Sequence, residues 1–109
     1  MAYDEQLAAR IRKQFGKRAG VTEKKMFGGI AFLLNGNMSC GVHGRDLIAR
    51  IDPADTDDAL SQSHTHVFDL TGRPMKGWIL VRPKGLATEA QLRKWVGVAI
   101  RYAGSLPAK

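Results

Sequence analysis

The sequence predicts an α+β domain in which helices at both ends, and one in the middle, cover an antiparallel sheet. Three observations carry that prediction. Apolar residues recur at helical spacing near both termini, short runs broken by Gly and Asn alternate between Ile30 and Ile51, and Asp52-Pro53 opens a helix between two groups of strands. A chain of 109 residues suffices for one core, so a single domain over 1–109 is expected.

The first helix places Leu7, Ala8, Ile11 and Phe15 on one face and leaves Arg10, Arg12, Lys13, Lys17 and Arg18 mostly off it. Asp4 is its expected N-cap and Gly16 or Gly20 its end. Cations in the last turn complement the helix dipole, which explains part of that basic side without any ligand.

From Glu23 to Asp52 the pattern is that of strands. The glycines of Met26-Phe27-Gly28-Gly29 mark a bulge, kink or tight hairpin between a strand ending near Phe27 and one starting near Ile30. A phosphate-cradling loop would need a following helix, and Ile30 to Leu34 read as a strand. Hydrophobic matching favours a three-residue loop Asn35-Gly36-Asn37 with Asn37 left-handed. Ile30, Phe32 and Leu34 then face Val42, Cys40 and Met38. A loop of His43-Gly44-Arg45-Asp46 next pairs Val42, Cys40 and Met38 with Leu47, Ala49 and Ile51, completing one apolar face. The opposite face, with Ala31, Leu33, Ser39, Gly41, His43, Ile48 and Arg50, is less polar than a solvated face, so part of it is expected to pack on a second subunit, as a homodimer, or on the chain's own loops.

Asp52 caps the middle helix, Pro53 takes its first position, and Asp55, Asp57 and Asp58 favour the dipole's positive end; the helix ends near Gln62. Capping accounts for these carboxylates without a metal. Val67 to Leu70 form a short edge strand. His64 and His66 would need Cys40 or His43 to complete a metal site, and no ligand spacing supports one. The loop Thr71-Gly72-Arg73-Pro74-Met75-Lys76-Gly77-Trp78 concentrates backbone specialists, cations and an aromatic ahead of the strand Trp78 to Val81. Packing is the expected role of Trp78. In the last helix Thr88 and Gln91 form a capping box, and Leu92, Trp95, Val96, Ala99, Ile100 and Ala103 form the stripe that covers the sheet. Gly97 implies close packing at its turn, and Leu106-Pro107 ends the helix.

Composition narrows function less than fold. Apolar residues at 44% and charged residues at 25% exclude a largely disordered chain. No apolar run approaches a membrane span, Met1 to Arg12 lack a signal-peptide core, and the lone Cys40 fits a reducing compartment, so a cytoplasmic location is expected. Seventeen cations against ten carboxylates give +7, which admits nucleic acid as a partner and equally fits a solvated basic surface. No nucleophile stands beside a base, so no catalytic residue, cofactor or small-molecule ligand is expected.

The run Lys25-Met26-Phe27-Gly28-Gly29-Ile30-Ala31-Phe32, the Asn35-Gly36-Asn37-Met38 turn, the Thr71 to Trp78 loop and the closing Leu106-Pro107 together resemble the N-terminal domain of the TfoX/Sxy proteins. The resemblance covers Tyr3 to Pro107. It implies a two-layer α/β sandwich similar to type III secretion chaperones, and regulation of natural competence with the cAMP receptor protein at promoters. Those relatives carry a second, C-terminal domain, so this chain is expected to be a single-domain member with a protein-binding role. The expected partner-binding or loop-shaping residues are Phe27, Gly28, Gly29, Arg73, Lys76 and Trp78. The alternative is nucleic-acid binding through the basic first helix with Arg73, Lys76, Arg82 and Lys84.

Overall fold

The computed structural model describes residues 3–26, 28–68 and 77–108, with only the backbone of Met26. Asp4 starts α1 (Glu5–Phe15) by accepting hydrogen bonds from the backbone N–H of Gln6 and Leu7 at 2.9 and 3.1 Å. Gly16, at φ 60, ends it in a conformation that side chains resist. Leu7, Ala8, Ile11 and Phe15 are all buried. Its start is also tied to the sheet, because Asp4 N–H donates to the Gly44 carbonyl at 2.7 Å.

The chain then forms β1 (Val21–Met26), β2 (Gly29–Leu34), β3 (Asn37–His43) and β4 (Asp46–Arg50), a meander of antiparallel neighbours. A 3-10 turn (Pro53–Asp55) leads into α2 (Thr56–Leu60), followed by β5 (Thr65–Val67) and β6 (Trp78–Val81). A second 3-10 turn (Pro83–Leu86) precedes α3 (Glu89–Ser105). The sheet order is β1-β2-β3-β4-β6-β5, all antiparallel, with the three helices packed on one face. The α+β expectation of a helix at each end and one in the middle is therefore met.

The β2–β3 hairpin departs from the expected loop. Its turn has two residues, Asn35 (φ 53) and Gly36 (φ 84), closed by the pair Leu34↔Asn37. Positive φ at both central positions is the type I′ geometry that Asn-Gly serves best. Asn35, not Asn37, is left-handed. A two-residue turn alone would place Phe32 opposite Ser39, yet Phe32 pairs with Cys40 because a bulge between Phe32 and Leu33 absorbs Ser39. Beyond the bulge Met38 pairs with Leu33, and its terminal methyl lies near Gly41 on the face away from the helices. Met38 therefore leaves the expected apolar face. Asn37 points to the helix side instead and donates from Nδ2 to the Pro107 carbonyl at 2.9 Å.

The bulge has a cost. Ser39 is fully buried, and its Oγ has no hydrogen-bond partner among the described residues. A buried hydroxyl without a partner is destabilising. Ser39→Ala is expected to raise the unfolding free energy by about 1 kcal/mol, read as a higher denaturant midpoint at unchanged slope.

The β3–β4 register matches expectation, with Val42↔Leu47 and Cys40↔Ala49, and the hairpin closes at His43↔Asp46 around Gly44 and Arg45. The edge strand lies earlier than expected, at Thr65–Val67. Thr65 sets its start by donating from Oγ1 to the carbonyls of Ala59 and Gln62 at 2.9 and 2.7 Å, which binds strand to helix. Asp69 and Leu70, assigned to that strand from sequence, lie outside the described residues.

The capping box at the start of α3 is present in both directions: Gln91 N–H donates to Thr88 Oγ1 at 3.1 Å, and Thr88 N–H donates to Gln91 Oε1 at 3.0 Å. Leu92, Trp95, Val96, Ala99 and Ala103 are buried beneath the helix, and Ile100 is only half-buried at its margin. Phe15 stacks on Phe32, with ring centroids 5.7 Å apart, in the centre of the core.

Candidate functional site

The glycine pair behaves as two separate backbone devices. Met26↔Gly29 is the last pair of the β1–β2 ladder, and Gly28 lies just beyond it. Gly28 supplies positive φ (74) in open space. At Gly29 the constraint is proximity, because a Cβ there would stand 2.1 Å from the Val42 carbonyl oxygen. Phe27 itself lies outside the described residues.

Of the second motif, residues 71–76, Arg73 and Lys76 among them, lie outside the described residues. Gly77 (φ 89) donates its N–H to Thr56 Oγ1 at 2.9 Å, and its carbonyl accepts from Ile51 N–H at 2.8 Å. Trp78 pairs with Arg50 across β4 and β6. The Arg50 guanidinium carbon sits 5.5 Å from the Trp78 ring and 5.6 Å from the Tyr102 ring, and Phe68 tilts against Trp78 at 6.1 Å. Trp78 is thus engaged in packing and cation–π contact within the chain.

These two candidate regions are not one site. Gly29 adjoins the row Ile30–Val42–Leu47–Val81, at the sheet end that carries the β3–β4 turn. Trp78 adjoins Arg50 at the opposite end.

The first helix offers fewer free cations than its sequence suggests. Arg10 donates to Glu89 Oε1 at 3.2 Å and to the Leu86 carbonyl at 2.8 Å. Arg12 grips Glu23 in a two-point contact at 2.6 and 2.7 Å and lies 5.9 Å from the Phe32 ring centroid. That hydrogen bonding holds the Glu23 carboxyl below its ordinary value and raises Arg12. Arg82, another proposed phosphate contact, is paired with Asp46 at 3.2 Å.

Neither metal nor thiol chemistry finds a foothold among the described residues. Cys40 is fully buried on the helix side, and desolvation pushes its thiol well above the ordinary range, away from the reactive thiolate. His66 lies on the other face, paired with Leu80, and no group of three potential ligands occurs among the described residues. No helix there is long and apolar enough to cross a membrane.

One concavity was not anticipated. Between α1 and α3 lies a groove of about 360 Å³, floored by Val96, Gly97 and Ile100 and rimmed by Arg18, Arg93 and Arg101. Gly97 does not serve close packing as expected, since a Cβ there meets nothing within 4 Å outside its own helix. The signal was present in the sequence: Arg93, Gly97 and Arg101 are four residues apart and share one helix row.

Residues 13–103 match the TfoX N-terminal domain family, from within α1 to within α3. The chain belongs to that family. No curated protein and no solved structure gives a significant match. The TfoX domain is associated with competence and transcription regulation, and the family has no known catalytic activity. In this TfoX domain Gly28, Gly29 and Gly77 have backbone explanations within the fold, while the arginine-rimmed groove has none among the described residues.

Proposed function

We propose that this TfoX domain is a non-catalytic regulatory module that works through protein–protein contacts in competence-type transcriptional control. The observation that carries the reading is the family match over residues 13–103. The fate of the cations supports protein over nucleic acid as the partner. Arg10, Arg12 and Arg82, three of the cations a nucleic-acid interface would draw on, are instead held by carboxylates of the same chain.

A second copy is the proposed occupant of the sheet face away from the helices. Ala31, Gly41 and Ile48 are already buried there within one chain, so the contact would rest on the half-buried Leu33, Met38, Leu80 and Trp78. Size-exclusion chromatography with light scattering at micromolar protein is expected to give a dimer mass, and a monomer mass would refute this part.

The regulatory role is tested by transcript profiling of a host strain lacking the gene. Altered expression of competence or other DNA-uptake genes, restored by the intact gene, is expected. An unchanged profile under inducing conditions would count against the reading.

A further inference from the structure

The groove between α1 and α3 combines features that intramolecular packing does not explain. Arg18, Arg93 and Arg101 rim it, all three are exposed, and none has a carboxylate partner among the described residues. Arg93 and Arg101 stand about 12 Å apart along the helix axis, two turns of one row. Gly97, midway between them, weakens the helix interior, and no neighbouring atom requires its small size. What the missing side chain leaves is a gap beside the half-buried Ile100, above the fully buried Val96.

We propose that this groove docks an acidic segment of a partner protein, which inserts one apolar side chain over Gly97 and places carboxylates on either side against Arg18, Arg93 and Arg101. The inference rests on the protein-contact reading above and gives the partner its chemistry. Guanidinium groups hold carboxylates in planar, two-point contacts, so the rim selects for acidic residues. The floor selects for an apolar group between them. A nucleic acid satisfies only the first demand: its phosphates would meet the rim, but no aromatic side chain among the described residues lines the groove to stack a base, and the floor would lose water without gaining a contact.

The test is an amide NMR titration with a short synthetic peptide carrying a central Leu-Phe pair flanked by glutamates. A peptide with serines in place of Leu-Phe, and a short DNA duplex, serve as comparisons. Shifts confined to residues 14–18 and 93–101 are expected, with affinity at least about tenfold weaker for the serine peptide, since one buried aromatic or leucine side chain contributes more than that factor. A Cβ at Gly97 meets nothing within 4 Å among the described residues, so Gly97→Leu, which projects a side chain into the groove, should abolish binding, and Gly97→Ala should raise the thermal midpoint, as alanine favours helix over glycine. Arg93→Glu with Arg101→Glu should abolish binding by reversing the rim. No shift at millimolar peptide, equal binding of the serine peptide, tighter binding of DNA at the same residues, or binding that survives Gly97→Leu would each overturn the proposal. Transcriptional control that persists in a Gly97→Leu strain would remove the groove and leave the protein-contact reading standing.

Discussion

Trp95→Ala is expected to lower the unfolding free energy by about 3–5 kcal/mol, a large share of the roughly 5–15 kcal/mol that holds a domain of this size together. Trp95 is 5% exposed and belongs to the core cluster that joins α3 to the sheet. Removing the indole loses its transfer free energy and leaves a cavity that the antiparallel ladders cannot close by moving. Urea unfolding followed by far-ultraviolet circular dichroism measures the loss. A change below about 1 kcal/mol would mean that α3 does not hold the sheet as described.

The second large effect concerns Gly29. Gly29→Ala would place a Cβ 2.1 Å from the Val42 carbonyl oxygen, and relief requires moving the backbone of β3 against two neighbouring strands. The expected cost is about 3 kcal/mol or more, at the upper end for overpacking. Gly28→Ala is the control. Its new Cβ meets nothing within 4 Å among the described residues, so only the strain of positive φ remains, about 1 kcal/mol. Comparing the two by denaturant midpoint separates a glycine needed for close approach from one needed for a turn. Equal, small losses would return the pair to the role of partner-contact residues and take away their structural explanation.

Local chemistry was the legible part of this fold. Asp4, Gly16 and the Thr88–Gln91 box mark helix ends because a cap is decided by residues within a turn of one another. The register of Val42 against Leu47 follows from alternation across a short hairpin. Where two local preferences conflicted, pattern matching chose one and the chain kept both. Asn35-Gly36 wants a two-residue turn, Phe32 wants Cys40 as its neighbour, and the bulge at Ser39 reconciles them at the expense of an unpartnered hydroxyl. No alternation rule contains that option.

The candidate site was less legible, for a different reason. Motifs rich in glycine attract a functional reading, yet Gly29 and Gly77 answer to close backbone neighbours contributed by distant segments. The arginine groove shows the converse. Arg18 joins Arg93 and Arg101 only because α1 packs beside α3, a long-range contact that spacing along one helix cannot reveal. Which cations are engaged was hidden for the same reason, since Glu89, Glu23 and Asp46 pair with Arg10, Arg12 and Arg82 of other segments.

The choice of protein over nucleic acid as the partner is tested most directly by fluorescence anisotropy of labelled duplex DNA titrated with the protein across a salt series. Weak binding that disappears at physiological salt is expected, with a shallow slope reflecting few phosphate contacts. Submicromolar binding that survives physiological salt, with a slope implying several phosphate contacts, would contradict it and make Lys84 and the cations of α1 the residues to replace first.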